Sequence, residues 1–137
     1  MKIVILDGRA LNPGDLSYDC LRQFGELAIY DRTDSESEAI ERIGDSEIVL
    51  VNKVKITERL LAACPNIRLI CVQATGYNVI DCEACAKRGI PVTNVPCYGT
   101  AAVAQFTMAL ILELCHRVGL HNHNVKTGGW VNADCFT

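Results

Sequence analysis

Thr75 and Gly76 end an apolar run, Cys71-Val72-Gln73-Ala74, and a short loop then leads to Asp81, where a helical pattern opens. A strand that stops on such a pair can present bare backbone N–H groups to an anion without using a charged side chain. Spacing alone also fits a plain strand-to-helix turn that needs a small residue. Lys53 follows another apolar run and could lend a positive charge to the same rim, although a lysine after a strand is commonly only solvated. A third stretch, Val92-Thr93-Asn94-Val95-Pro96-Cys97-Tyr98-Gly99-Thr100, leads into a long helical pattern with almost no charge. The two strand ends point to a cleft for a small acid.

Other reactive residue types are less well placed. Cys82-Glu83-Ala84-Cys85 is a C-x-x-C at a helix start, where a thiolate would be favoured, but a zinc site would need a second ligand pair at suitable spacing. His121 and His123 are two apart and do not share a helix face; with His116 they read as solvated helix-end residues, and no metal is expected. Asp81 reads as a helix cap, and Gln105 and Arg117 as packing or interface residues. Neither G-x-G-x-x-G, a P-loop nor G-x-S-x-G occurs, so no nucleotide-phosphate cradle and no nucleophile elbow can be read.

The 137 residues, half of them hydrophobic, suffice for one domain with a sizeable core. A net charge of −3 and a pI near 5.5 argue against nucleic acid as a partner. The most apolar segment, Ala101 to Leu112, contains Gln105 and Thr107 and runs into Glu113, so no membrane span is expected. The start of the chain passes directly into a strand pattern without a signal-type cleavage region. Several of the eight cysteines sit in apolar patterns as small hydrophobes, and a reduced, cytoplasmic setting is expected.

The elements that must hold the rim are readable from period and punctuation. Apolar β-type runs fall at Lys2–Asp7, Leu27–Asp31, Glu47–Asn52, Arg68–Ala74 and Pro91–Val95. Between them, Ser35-Glu36-Ser37-Glu38 has the form of a capping box for a helix to Ile43 with Gly44 as its stop. Thr57 can cap Glu58–Ala63 ahead of Pro65, and Asp81 can cap Cys82–Arg88 ahead of Gly89. Alternation at this spacing predicts an α/β fold: a flavodoxin-like, doubly wound, parallel five-stranded sheet with helices on both faces. Ligands of such sheets sit beyond the carboxyl ends of the strands, which puts Asp7-Gly8, Asn52-Lys53, Thr75-Gly76 and 96–100 on one rim.

Thr100 can cap a helix from Ala101 to about Val118, roughly 27 Å long at 1.5 Å per residue. Its first dozen residues are apolar nearly all round, which predicts burial on every side and therefore a second body, another domain or another copy of the chain. After Gly119 the pattern turns polar and reaches Thr137 with no closing element, as though cut. The expected organisation is a flavodoxin-like domain over 1–99, a long interdomain or dimer helix over 100–120, and a polar segment over 121–137.

Several stretches together resemble the D-isomer-specific 2-hydroxyacid dehydrogenases, closest to the glycerate dehydrogenase / hydroxypyruvate reductase branch. They are Met1 to Gly8, Leu11-Asn12-Pro13-Gly14-Asp15-Leu16, Val51-Asn52-Lys53, Ala74 to Asp81, Gly89 to Pro96, Tyr98-Gly99-Thr100 and Val103-Ala104-Gln105. Gln105 stands where many relatives have Glu, and Gln is usual in that branch. The resemblance covers essentially the whole chain and implies a substrate domain followed by a Rossmann domain for NAD(P) beyond Thr137. It implies that backbone at Thr75 and Gly76 holds the carboxylate of a small 2-oxo or 2-hydroxy acid, that Lys53 and Gly99 face the same cleft, and that Thr100 and Val103 approach the nicotinamide. The family's catalytic Arg, Glu and His fall in the later domain, so no catalytic residue is expected here. The helix Ala101–Val118 resembles the family's linker and homodimer helix.

Two other readings compete. One is a non-enzymatic flavodoxin-like module that self-associates through the Ala101–Val118 helix. The weaker one is thiol redox chemistry at Cys82 and Cys85.

Overall fold

Aliphatic runs covered on both faces become the strands of one parallel sheet. A computed structural model describes residues 1–135. The strands are β1 (Lys2–Ile5), β2 (Glu26–Ile29), β3 (Ile48–Val51), β4 (Leu69–Val72) and β5 (Val92–Thr93), in the order β2-β1-β3-β4-β5 and all parallel. This is the flavodoxin-like order. Each strand is shorter than its apolar pattern, because the residues at the carboxyl ends turn out of the ladder to form the rim. β5 is the shortest, enclosed by Pro91 and Pro96, neither of which carries an N–H to donate.

The helices of this part are α1 (Asp19–Arg22), α2 (Glu36–Ile43), α3 (Glu58–Ala63) and α4 (Cys82–Lys87). Their stops and starts follow the expected chemistry. Ser35 Oγ accepts the Glu38 N–H at 3.2 Å, Thr57 Oγ1 that of Leu60 at 3.2 Å, and Asp81 Oδ1 that of Ala84 at 2.9 Å. Gly44 and Gly89 end their helices with φ of 51° and 66°. The return arm of the capping box is shifted: the Glu38 carboxylate accepts the N–H of Asp34 at 2.8 Å, one residue before Ser35.

Strand periodicity divides the core in two. Val4, Val49, Val51, Ile70 and Val72 face α2, α3 and α4 through Ala39, Ile43, Leu60, Leu61 and Cys85. Ile3, Ile5 and Leu50 face the other way, toward Tyr18 and Leu21 at α1.

The chain divides into two compact units, Met1–Cys97 and Tyr98–Thr137. The second holds α5 (Thr100–His116) and α6 (Val118–Lys126). Two expectations are corrected here, the cap and the end of α5. Thr100 is the first helical residue, and the cap position is Gly99, with no side-chain bond to the helix. The helix does not continue to Val118: Arg117 adopts a left-handed conformation, φ 47° and ψ 45°, and the path bends by 60°. The Glu113 carboxylate explains the break, since it accepts the Gly119 N–H at 3.1 and 3.2 Å and so caps α6 from the preceding helix. Finally, no residue of α5 is buried; Val103, Phe106 and Leu114 are 67, 66 and 80% exposed. The second body that its apolar character calls for is not found among the described residues. Among the described residues no single helix is long and apolar enough to cross a membrane. Of the segment over 121–137, residues 136 and 137 lie outside the described residues.

Candidate functional site

The rim is assembled by side chains that stitch strand exits together. Asp7, just past β1, is 5% exposed, and its carboxylate accepts the backbone N–H of Asn52 at 2.9 and 3.1 Å and that of Lys53 at 2.5 Å. An ionised carboxylate so buried needs such donors, and these also fix where the β3 exit lies. Asn52 carries the stitch onward: its side-chain amide donates to the Gln73 carbonyl at 2.9 Å, while the Gln73 N–H donates to the Val51 carbonyl at 2.7 Å. Val51 pairs with Val72, so Lys53 and Ala74 leave adjacent strands one residue beyond the last stitched position. The Lys53 side chain is exposed and forms no ion pair with the described residues.

At the β4 exit the geometry concerns peptide planes. Val95 N–H donates to the Ala74 carbonyl at 3.0 Å, and Asn94 Nδ2 donates to the Thr75 carbonyl at 2.8 Å. The Thr75 hydroxyl adds a third link, donating to the Val95 carbonyl at 3.0 Å. No peptide bond is cis among the described residues, so in each plane the N–H points opposite to the C=O. The Ala74 carbonyl shares its plane with the Thr75 N–H, and the Thr75 carbonyl shares its plane with the Gly76 N–H. Two successive carbonyls held by residues 94 and 95 therefore turn two successive N–H groups away from β5 together. Among the described residues neither N–H has an acceptor. Consecutive free amides turned the same way make an anion-binding nest.

Gly76 sits in an unstrained, uncrowded stretch of this loop. Its φ is not in the left-handed region, and an added Cβ would meet only Asn78 Oδ1 at 3.4 Å, an ordinary contact. Neither a left-handed backbone nor internal crowding requires glycine there. The far end of the loop is secured independently, by Ile56 N–H to the Val79 carbonyl and Asp81 N–H to the Ile56 carbonyl, both at 2.9 Å.

Gly99, Thr100 and Val103 lie in the second unit, at the cap and first turn of α5. Gly99 accepts the Val103 N–H at 2.9 Å, and a Cβ on it would touch only Val103 Cγ2 at 4.0 Å.

A cavity of about 450 Å³ opens at the exits of β1 and β2, lined by Lys53 with Asp7, Arg9, Asp31, Arg32 and Asp34. Thr75 and Gly76 do not line it. Its charges offset one another: Arg32 lies 2.5 Å from Asp34, Arg9 lies 3.9 Å from Asp31, and Asp7 is engaged by backbone amides. Lys53 is the one lining cation without an ion-pair partner among the described side chains.

The sequence places Asp7 and Asn52 on the rim without revealing what they bind, and it leaves Asn94 without a role. Each reads locally as a turn former; their partners appear only once the sheet order sets β1 beside β3, β3 beside β4 and β4 beside β5. The cysteine pair does not support redox chemistry: Cys82 is exposed, but Cys85 is buried and burial pushes its thiol up, away from a reactive thiolate. Among the described residues no three His, Cys, Asp or Glu side chains are grouped so that they could hold a metal ion.

Comparison with known proteins gives the family. Residues 3–133 match the family described as D-isomer specific 2-hydroxyacid dehydrogenase, catalytic domain. A hydroxypyruvate reductase of Blautia hydrogenotrophica is 52% identical over 99% of this chain and 44% of its own length. A glycerate dehydrogenase of Methylorubrum extorquens is 30% identical over 98% of this chain and 42% of its own. The chain thus spans less than half the length of these relatives. Among solved structures, the NADPH-dependent glyoxylate/hydroxypyruvate reductase of Sinorhizobium meliloti superposes with a TM-score of 0.74 at 24% identity, covering 99% of this chain and 42% of that one, a likeness of fold. These matches favour a dehydrogenase domain over a non-enzymatic self-associating module. With its sheet order, its rim and 131 of its 137 residues (133 − 3 + 1) aligned to one family, the chain belongs to the D-isomer specific 2-hydroxyacid dehydrogenases and carries their catalytic domain.

Proposed function

We propose that these residues are the substrate-binding portion of an NAD(P)-dependent 2-hydroxyacid dehydrogenase that reduces hydroxypyruvate or glyoxylate and oxidises D-glycerate. One observation carries the reading: the N–H groups of Thr75 and Gly76 turn away from β5 together and lack internal acceptors. They grip the substrate carboxylate, and Lys53 adds positive charge beside them. Gly99 is assigned to acid binding, and Thr100 and Val103 to the nicotinamide. Holding the acid by one end fixes the carbonyl to be reduced, which is a proximity contribution.

The nicotinamide cofactor supplies the hydride. Residues 1–137 contain no glycine-rich dinucleotide cradle, so the cofactor is held mainly by a part of the enzyme outside them. The work of this chain is to bind and orient the acid. The exposed apolar surface of α5 is the homodimer contact, and thiols packed in the core as small hydrophobes, Cys64 and Cys85, suit a cytoplasmic setting.

Steady-state assay of residues 1–137 with hydroxypyruvate and either NADH or NADPH is expected to show no turnover, whereas the chain extended to the relatives' full length is active. Robust turnover by residues 1–137 alone would contradict the assignment.

A further inference from the structure

We infer that Asn94 is the positioning residue of the acid site, acting on substrate through the peptide plane between Thr75 and Gly76. The inference rests on the carboxylate reading of that site. Its first ground is geometric. The Gly76 N–H belongs to the same rigid plane as the Thr75 carbonyl, and that carbonyl accepts from Asn94 Nδ2 at 2.8 Å. The preceding plane is held by main chain, Val95 N–H to Ala74 carbonyl at 3.0 Å, whose geometry does not depend on residue identity. The plane carrying the Gly76 N–H is held by a side chain. Released from Asn94, it could rotate about the Thr75 ψ and Gly76 φ bonds, and glycine resists such rotation least of all residues.

The second ground is electronic. A hydrogen bond accepted by an amide oxygen polarises the amide and strengthens its N–H as a donor, so Asn94 both aims the Gly76 donor and makes it better. The third is burial. Asn94 is only partly buried and belongs to neither core cluster, so its side chain is not required to fill the interior. A side chain at the end of the two-residue β5 that ties itself to a loop carbonyl on the next strand is explained by what that carbonyl's plane presents on its other side.

The test uses the ¹⁵N-labelled 137-residue chain and its Asn94→Ala and Asn94→Asp variants, titrated with D-glycerate. Asn94→Asp keeps the shape but cannot donate, and provides a second route should truncation unfold the chain; amide dispersion of β1 and β3 reports folding. Before any acid is added, both variants are expected to move the Gly76 ¹⁵N resonance upfield and to raise its fast-timescale mobility. With acid, affinity read at Gly76 should fall about three- to tenfold, the worth of one hydrogen bond. Variants that leave both the Gly76 resonance and the affinity unchanged overturn the inference. If the unmodified chain shows no response to glycerate, the carboxylate reading fails, while the acid-free Gly76 resonance still decides whether Asn94 holds the plane.

Discussion

Asp7 holds Asn52 across the sheet: two oxygens of one buried carboxylate accept a single backbone N–H at 2.9 and 3.1 Å, from a residue 45 positions away. Asn52 in turn holds Gln73 at the β4 exit, so Asp7 is the first link in a chain that ends beside Thr75. Asp7→Ala leaves the Asn52 and Lys53 amides without their charged acceptor and is expected to cost about 2–3 kcal/mol, as hydrogen bonds to a charged group are worth. Urea denaturation checks this, and a loss below about 0.5 kcal/mol, the ordinary surface value, would show that the stitch carries no stability.

Lys53 presents its backbone to Asp7 and its side chain to solvent. Lys53→Ala should therefore leave the unfolding midpoint almost unchanged while weakening acid binding several-fold. The weakening should shrink as ionic strength rises, because an exposed charge acts through a screened field. Calorimetric titration with D-glycerate at low and high salt measures it; equal affinities at low salt would remove Lys53 from the site.

The apolar surface of α5 is expected to bring two copies of the chain together. Leu110 is 51% exposed within a helix that has no buried residue. Leu110→Glu should convert a dimer into a monomer without changing the circular dichroism of the fold, since no core contact is lost. Sedimentation velocity distinguishes the species. A monomeric parent chain at tens of micromolar would contradict the homodimer.

Burial pushes the Cys64 and Cys85 thiols above their ordinary value of 9.0. As pH rises past that value the unfolded thiols lose their protons first, so the unfolded state holds fewer protons and stability falls with increasing pH. Replacing both cysteines by alanine is expected to flatten the alkaline decline between about pH 8.5 and 10, the range in which free thiols titrate. Thermal melts across that range test it, and an unchanged slope would assign the decline to other groups.

How far the sequence could be read depended on whether a feature was local. Caps at Ser35, Thr57 and Asp81, and the stops at Gly44 and Gly89, are fixed by neighbours within four residues and appear where the pattern predicts them. The strand order follows from alternation and handedness, which are also sequence-visible. What escaped depended on distant partners. Asp7 looks like any acidic residue after a strand until β1 lies against β3, and Asn94 looks like a turn former until its amide reaches Thr75. The α5 expectation is of another kind: an all-round apolar helix predicts that something covers it, but composition cannot say whether the cover is another domain or another copy of the chain. The break at Arg117 was hidden because its cause is a side chain, Glu113, reaching forward to Gly119.

The most direct measurement is an amide-resolved NMR titration of residues 1–137 with D-glycerate and, separately, with its uncharged amide. The Thr75 and Gly76 N–H resonances should shift downfield and saturate with the carboxylate, and respond at least tenfold more weakly to the neutral compound, since a charged acceptor roughly doubles the strength of such bonds. Resonances at 75 and 76 that stay fixed while others move, or that respond equally to both compounds, would show that these amides are not where the acid binds.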